Sequence, residues 1–367
     1  SNRTTYYSEG SDAYTSPFEG CSKLASITVP EGMMTLPAYA FRKLATLTSV
    51  TLPDTMTTIG IYAFAGCTGL TEITLPSALT TLSIHAFDGC TGLQEVELPA
   101  GITVVYDYAF AGCTGLTSVT LPTALTSIRS YAFSGCTGLT SIEIPDSVTS
   151  MTARAFYNCT NLSSVKLPVS WESVPDHYSN RTTYYSEGSD AYTSPFVGCS
   201  KLASITVPEG MTTLPAYAFR KLTALKNVTL PGTLTAIGAY AFEGCSKLKY
   251  IEPVDGLLSI GNYAFSNCTN LEKLYLPDTV TSYGTNVFKN CAKLTVECKE
   301  YSFATIYCID AGIPVEFVSD SFERNPNLYL DRDSTYYVAN TVGALTNGYI
   351  TTVSYTHLRA HETELHL

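Results

Sequence analysis

Tyr131 to Ala153 reads YAFSGCTGLTSIEIPDSVTSMTA, and this stretch decides the fold. In its centre Ile142 and Ile144 alternate with Ser141 and Glu143. Alternation at a period of two is a short strand with one buried face. Pro145 stops it, because proline brings no N–H to a strand ladder. The remainder returns the chain through a turn and an apolar cluster of Val148, Met151, Ala155, Phe156 and Cys159.

The stretch recurs every 23 residues. Phe18, Phe41, Phe64, Phe87, Phe110, Phe133 and Phe156 mark one series, and Phe196, Phe219, Phe242, Phe265 and Phe288 a second, at that one spacing. A single unit cannot bury its apolar side, whereas stacked units bury theirs against one another and pair their strands in parallel. The expected fold is therefore a β-rich solenoid: a leucine-rich-repeat array of about twelve coils with parallel strands and one insertion.

The repeated segments, such as Ala63-Phe64-Ala65-Gly66-Cys67 followed by Ile73-Thr74-Leu75-Pro76, resemble the BspA-like leucine-rich repeats of bacterial and protist surface proteins. The resemblance covers roughly residues 16–317. It implies adhesion to a host extracellular-matrix or cell-surface protein, to a glycan or to neighbouring cells, at an extracellular or cell-surface location.

Composition narrows the partners. The net charge of −11 argues against nucleic acid or anionic lipid. No run of 18 apolar residues is present, so no membrane insertion is expected. The chain opens on Ser1 inside a sequence that recurs later, which reads as a cut edge without signal peptide or anchor.

The twelve cysteines do not read as a disulfide framework. Cys67, Cys90, Cys113, Cys136 and Cys159 recur once per unit, as do Cys245, Cys268 and Cys291, and Leu44 and Leu222 take the same place in two units. A slot that accepts leucine is a small buried apolar site, so free thiols are expected there. Cys298 and Cys308 lie outside the ladder and either pair or are buried in the last coil. His85 replaces the usual tyrosine, and His177 stands far from it in sequence. No nucleophile–base constellation, metal-ligand set or phosphate loop is legible, so no enzyme activity, cofactor or metal is expected.

A longer duplication overlies the short one. Residues 1–33 recur at 179–211 with one change, Glu19 to Val197, giving a second period of 178 residues. Recent duplication and an assembly error between repeats both explain it. Pro168 to Phe196 spans 28 residues where 11 are usual, as from Pro145 to Phe156. The 17 extra residues sit within 169–195, a loop carrying Trp171, Tyr178, Tyr184, Tyr185 and Tyr192 among small polar residues. Such a mixture suits an adaptable binding loop, and equally rings that fold back over the solenoid side.

The outward strand positions form two rows. One runs Thr28, Thr51, Thr74, Glu97, Thr120, Glu143, Lys166, then Thr206, Thr229, Glu252, Tyr275. The other runs Ser26, Ser49, Glu72, Glu95, Ser118, Ser141, Ser164, then Ser204, Asn227, Tyr250, Lys273. Hydroxyls dominate, and threonine suits exposed strands for structural reasons alone. Departures at Glu72, Glu95 and Glu97, and at Tyr250, Lys273 and Tyr275, are the candidate ligand patches, together with the aromatic insertion.

The expected organisation is a first part of the array at 1–168, the insertion at 169–195, and a second part at 196–317, where residues 293–317 lose the repeat pattern and resemble the family's C-terminal closing unit, which implies a cap with a short helix near Ser302–Ala311. Residues 318–352 read as an incomplete β domain or linker with a turn at Asn347-Gly348. Val353–Thr363, VSYTHLRAHET, resembles a translated sequencing adapter, which sets 353–367 apart as non-native read-through. The expected function is an adhesion or protein-interaction module using the sheet face and the insertion. The alternative is a passive spacer presenting a downstream catalytic or anchoring domain.

Overall fold

A computed structural model describes residues 15–175, 192–251 and 254–318 and the short strands at 328–330 and 336–338. Each 23-residue unit forms one turn of a parallel-strand β-solenoid of about twelve turns, with one short helix among the described residues. The chain forms two compact units, Ser1–Ile205 and Thr206–Leu367.

In the first unit, most coils carry two short strands where the sequence suggested one. The front strand is the expected alternating segment: Ser141–Glu143 exposes Ser141 and Glu143 and buries Ile142. Ile144 N–H donates the last front bond, to Lys166 O at 3.0 Å, before Pro145 ends the ladder. The second, back strand lies in the return half, at Ser150–Met151, beside Ser127–Ile128 and Val104–Val105 in parallel. Another back sheet joins Thr35–Leu36, Thr58–Ile59 and Thr81–Leu82. Every register is an offset of one repeat, for example Ser26 on Ser49 and Thr28 on Thr51.

The Tyr-Ala-Phe segment supplies a third hydrogen-bonded side. His85, Phe87 and Gly89 N–H groups donate to Asp107, Ala109 and Ala111 carbonyls at 3.1, 2.8 and 2.7 Å. Alternate N–H groups reach the next coil because the chain turns left-handed twice per coil. Tyr108 has φ 56° and Gly112 φ 68°, and each neighbouring coil repeats the pair. The second position is glycine, or else asparagine or lysine as at Asn158 and Lys43, in keeping with glycine's and asparagine's tolerance of this region.

Two aromatic columns run across the coils. The inner one stacks Phe64, Phe87, Phe110 and Phe133 with centroids 4.9, 5.4 and 5.4 Å apart and rings within 3° of parallel. The outer one stacks Tyr62, His85, Tyr108 and Tyr131 at 4.3, 4.5 and 4.8 Å. His85 therefore fills a tyrosine's place in the stack, and its Nδ1 lies 2.8 Å from Asp88 Oδ2. The column passes the insertion without interruption, since Phe156 stacks on Phe196 at 5.4 Å.

The cysteines line the core as free thiols, buried from Cys67 to Cys199. Each Sγ–H donates to the phenylalanine carbonyl of the preceding coil: Cys90 to Phe64 O at 3.1 Å, Cys113 to Phe87 O and Cys136 to Phe110 O likewise. The slot is apolar, as the leucine replacements imply, and it also offers a weak acceptor that a thiol satisfies.

In the second unit, front strands Asn227–Thr229, Tyr250–Ile251, Lys273–Leu276, Thr295–Cys298 and Val315–Phe317 follow one another in one sheet. Back strands Thr213–Leu214, Ala236–Ile237, Ser259–Ile260 and Ser282–Tyr283 form another. The expected closing helix spans Phe303–Asp310, with Ser302 as N-cap accepting from Thr305 N and Ala311 as C-cap. Tyr307 stacks on Tyr283 at 4.6 Å and meets Phe288 edge-on at 6.1 Å, so the helix covers the end of the core. Cys298 and Cys308 are unpaired and buried, and burial pushes the Cys308 thiol up to about 12. Leu328–Leu330 pairs antiparallel with Tyr336–Val338, while Asn347-Gly348 and the adapter-like stretch lie outside the described residues.

Candidate binding surface

Parallel pairing with an offset of one repeat converts a sequence position into a surface row. Glu95 lies beside Ser118 and Glu97 beside Thr120; Ser141 lies beside Ser164 and Glu143 beside Lys166. The exposed front of the first unit is thus a field of hydroxyls crossed by a few charges.

The front ladder is not continuous. Glu95–Glu97 pairs with Ser118–Thr120, and Ser141–Glu143 with Ser164–Lys166, yet these are separate two-stranded sheets. Thr117 N–H bonds Gln94 O at 2.8 Å and Leu98 N–H bonds Thr120 O at 3.0 Å; across the gap the counterparts, Thr140 N to Thr117 O and Leu121 N to Glu143 O, are missing. Behind the gap the stack is intact. The back strands pair from Val104 through Ser127 to Ser150, and Phe110 sits 5.4 Å from Phe133. The coils part on the front side alone. Val119, at the gap, is half-buried.

A groove of about 600 Å³ opens there. Ser118, Thr120, Ser141, Glu143, Asp146 and Lys166 are among its polar lining. Lys166 Nζ stands 3.9 Å from Glu143 Oε2, both well exposed, and Asp146 Oδ1 accepts from Val169 N at 3.2 Å. The volume lies within the usual span of ligand clefts, about 300–1,000 Å³. Nothing in the sequence signalled the groove, because the strands on either side of the gap read like those that pair.

The sequence-derived candidates fall differently. Glu95 and Glu97 are exposed on either side of buried Val96. Glu72 is exposed one coil earlier, but the expected strand through Ile73 and Thr74 is absent; the coil is tied forward by Thr71 O accepting from Gln94 N at 3.0 Å. In the second unit Tyr250 is exposed and lies beside Lys273 in register, and half-buried Tyr275 lies beside Glu297. Lys273 Nζ donates to Glu297 Oε1 at 2.8 Å and Glu316 Oε2 at 3.0 Å. Those hydrogen-bonded carboxylates raise the ammonium's pKa and neutralise its charge locally.

Trp171 requires a correction. Its ring is 2% exposed, meets Phe196 edge-on at 6.5 Å and donates Nε1–H to Ser173 O at 2.9 Å. It covers the core where the insertion departs, so it offers no binding surface; its apolar area is more stable there than in water. Tyr192 is half-buried, and Tyr178, Tyr184 and Tyr185 lie outside the described residues. Among the described residues no group of three or more His, Cys, Asp or Glu side chains is placed to hold a metal, and no helix is long and apolar enough to cross a membrane.

The repeat geometry has a counterpart in sequence. The profile of the BspA type leucine-rich repeat region, in six copies, matches residues 13–117, 85–184 and 191–307. The chain belongs to the BspA-type leucine-rich-repeat family. Among solved structures, this BspA-type array is similar to a leucine-rich repeat protein from Bacteroides ovatus ATCC 8483, with 24% identity and a TM-score of 0.55 over 83% of this chain and 87% of that one. It is also similar to a leucine rich cell surface protein from Faecalibacterium prausnitzii A2-165, with 27% identity and a TM-score of 0.43 over 81% and 80%. The pneumococcal vaccine antigen PcpA shares 22% identity, with a TM-score of 0.39 over 82% and 67%. No curated protein matches the BspA-type array.

Proposed function

We propose that the chain is a cell-surface adhesion module that holds a protein or glycan ligand against the front sheet face. The groove at the gap in the front ladder carries this reading. It combines a roughly 600 Å³ recess with hydroxyls from Ser118, Thr120 and Ser141, carboxylates from Glu143 and Asp146, and one ammonium from Lys166. Groups of this kind fix a polar ligand by several directional hydrogen bonds. The rigid coil stack behind them keeps their spacing, so little ordering is needed on binding. Extended solenoid faces serve proteins and glycans in this way. The exposed acidic strand Glu95–Glu97 and the Tyr250–Lys273 pair are secondary contact points on the same kind of face.

The test is a screen of the full chain against immobilised matrix proteins, mucin and glycans. A ligand found there should lose at least tenfold in affinity with Thr120→Tyr, which fills the recess, and with Lys166→Glu. Retention of full affinity by both variants would refute the groove. A chain that binds none of these ligands, while a longer protein containing it does, would leave the spacer role in its place.

A further inference from the structure

The gap in the front ladder turns backbone groups, as well as side chains, toward the groove. Away from the gap both banks are fully tied. Thr117 N–H and Oγ1–H donate to Gln94 O of the coil before, at 2.8 and 3.1 Å. Ser163 N–H and Oγ–H of the coil after donate to Thr140 O at 2.9 and 3.2 Å. Across the gap, Thr140 N–H makes no bond to Thr117 O, and Leu121 N–H makes none to Glu143 O. One bank therefore offers Thr117 O and Leu121 N–H, and the other Thr140 N–H and Glu143 O. Two facing strand edges with open donors and acceptors are a template for a further strand.

The side chains suit the same occupant. Ser118 and Thr120 point outward around Val119, and Ser141 and Glu143 point outward around Ile142. A strand lying between them meets the same alternation on both flanks, which favours apolar β-branched residues inward and small hydroxyl residues outward. No aromatic ring lines the groove to take the flat face of a sugar.

We propose that the ligand of the groove is a short extended peptide segment of a partner protein, which pairs its backbone with both banks as an added parallel strand. The inference rests on the groove reading above and narrows its ligand to peptide. Seating the segment sets the two front strands about 9.6 Å apart, twice the ladder spacing. The unbroken back strands are the hinge for that opening. At the far end of the gap, opening releases one side-chain bond, Ser147 Oγ to Leu125 O.

The probe is the synthetic peptide LTSVTLP, the sequence of Leu116–Pro122, titrated against the full chain to about 1 mM. Hydrogen exchange of the Leu121 and Thr140 amides should slow at least about tenfold on saturation, and Thr120→Tyr should abolish the effect. An inserted strand uses its N–H groups alternately toward each bank. N-methylation of the peptide at its valine, or at the threonine that follows, should therefore each weaken binding at least about tenfold. Failure of LTSVTLP to bind would overturn the proposal. So would binding that ignores Thr120→Tyr, or binding that tolerates either N-methyl group, since side chains alone would then hold the peptide. A glycan bound by the chain and lost with Thr120→Tyr, with the peptide inert, would overturn the strand and leave the groove standing. A ligand indifferent to both Thr120→Tyr and Lys166→Glu would remove the groove, and the proposal with it.

Discussion

Phe18 and Phe196 are the same residue of the same sequence, one at an open coil and one inside the stack, so replacing each with alanine separates burial from local sequence. Phe196 is 0% exposed, stacked on Phe156 at 13° and 5.4 Å and edge-on to Trp171 at 86°. Its loss removes the transfer energy and leaves a closed cavity, about 4 kcal/mol in all, including roughly 0.5–1.5 for each ring contact. Phe18 is 36% exposed, with one tilted contact to Phe41 at 5.8 Å and 33°. Water fills the space it vacates, so only the transfer part is lost, scaled to about two-thirds burial, or about 1.5 kcal/mol. The difference of about 2.5 kcal/mol is a factor between roughly 10 and 100 in the unfolding equilibrium. Urea unfolding followed by far-ultraviolet circular dichroism measures both variants. The emission of Trp171, the single tryptophan, reports locally beside Phe196. Equal losses for F18A and F196A, or a larger loss for F18A, would refute the assignment of an open and a covered face.

The buried thiols make the fold labile to base. Burial pushes Cys67 from its ordinary value near 9 up to about 12 and Cys291 up to about 11, and raises Cys113 and Cys268 as well. The unfolded chain ionises near pH 9 while the folded one holds its protons, so stability is full below that pH and falls as pH rises toward the folded values. Each thiol contributes on the order of 1.4 kcal/mol per pH unit in that window, and a midpoint temperature unchanged from pH 7 to 10.5 would contradict this. At Gly112, with φ 68°, substitution by valine should cost about 2 kcal/mol and by asparagine less than about 1, measured by urea unfolding; equal costs would remove the left-handed turn from the explanation. Hydrogen exchange tests the gap directly: the Thr140 and Leu121 amides should exchange at least about tenfold faster than those of Thr117 and Leu98, and equal rates would close the groove.

Much was legible in the sequence because a solenoid repeats its environment. A 23-residue period fixes which residue faces the core in every coil, so the phenylalanine column, the thiol ladder and the outward rows follow from one unit. The cap helix was expected from the family resemblance where the repeat pattern lapses, and the structure adds Ser302 as its N-cap. The glycines, asparagines and lysines before the cysteine position carried a signal for one left-handed turn. The tyrosines at φ near 56° carried none, since tyrosine does not favour that region and the stack and hydrogen bonds hold it there.

What the repeat could not specify is where coils part or what a loop residue touches. Ser118-Val119-Thr120 and Ser141-Ile142-Glu143 have the same pattern as strands that pair, yet they lie in separate sheets. Trp171, among small polar residues, read equally as a binding ring and as one folded back over the solenoid; it lies against Phe196, where burying its ring area decides its place. Lys273 read as part of a ligand patch, whereas its ammonium is held by Glu297 and Glu316, 24 and 43 residues away in sequence. The sequence by itself determined the coil, its core and the rows it presents to solvent. Only the tertiary structure decided which of those rows open into a recess and which charges are already paired, because both are settled by contacts between neighbouring coils that no single repeat contains.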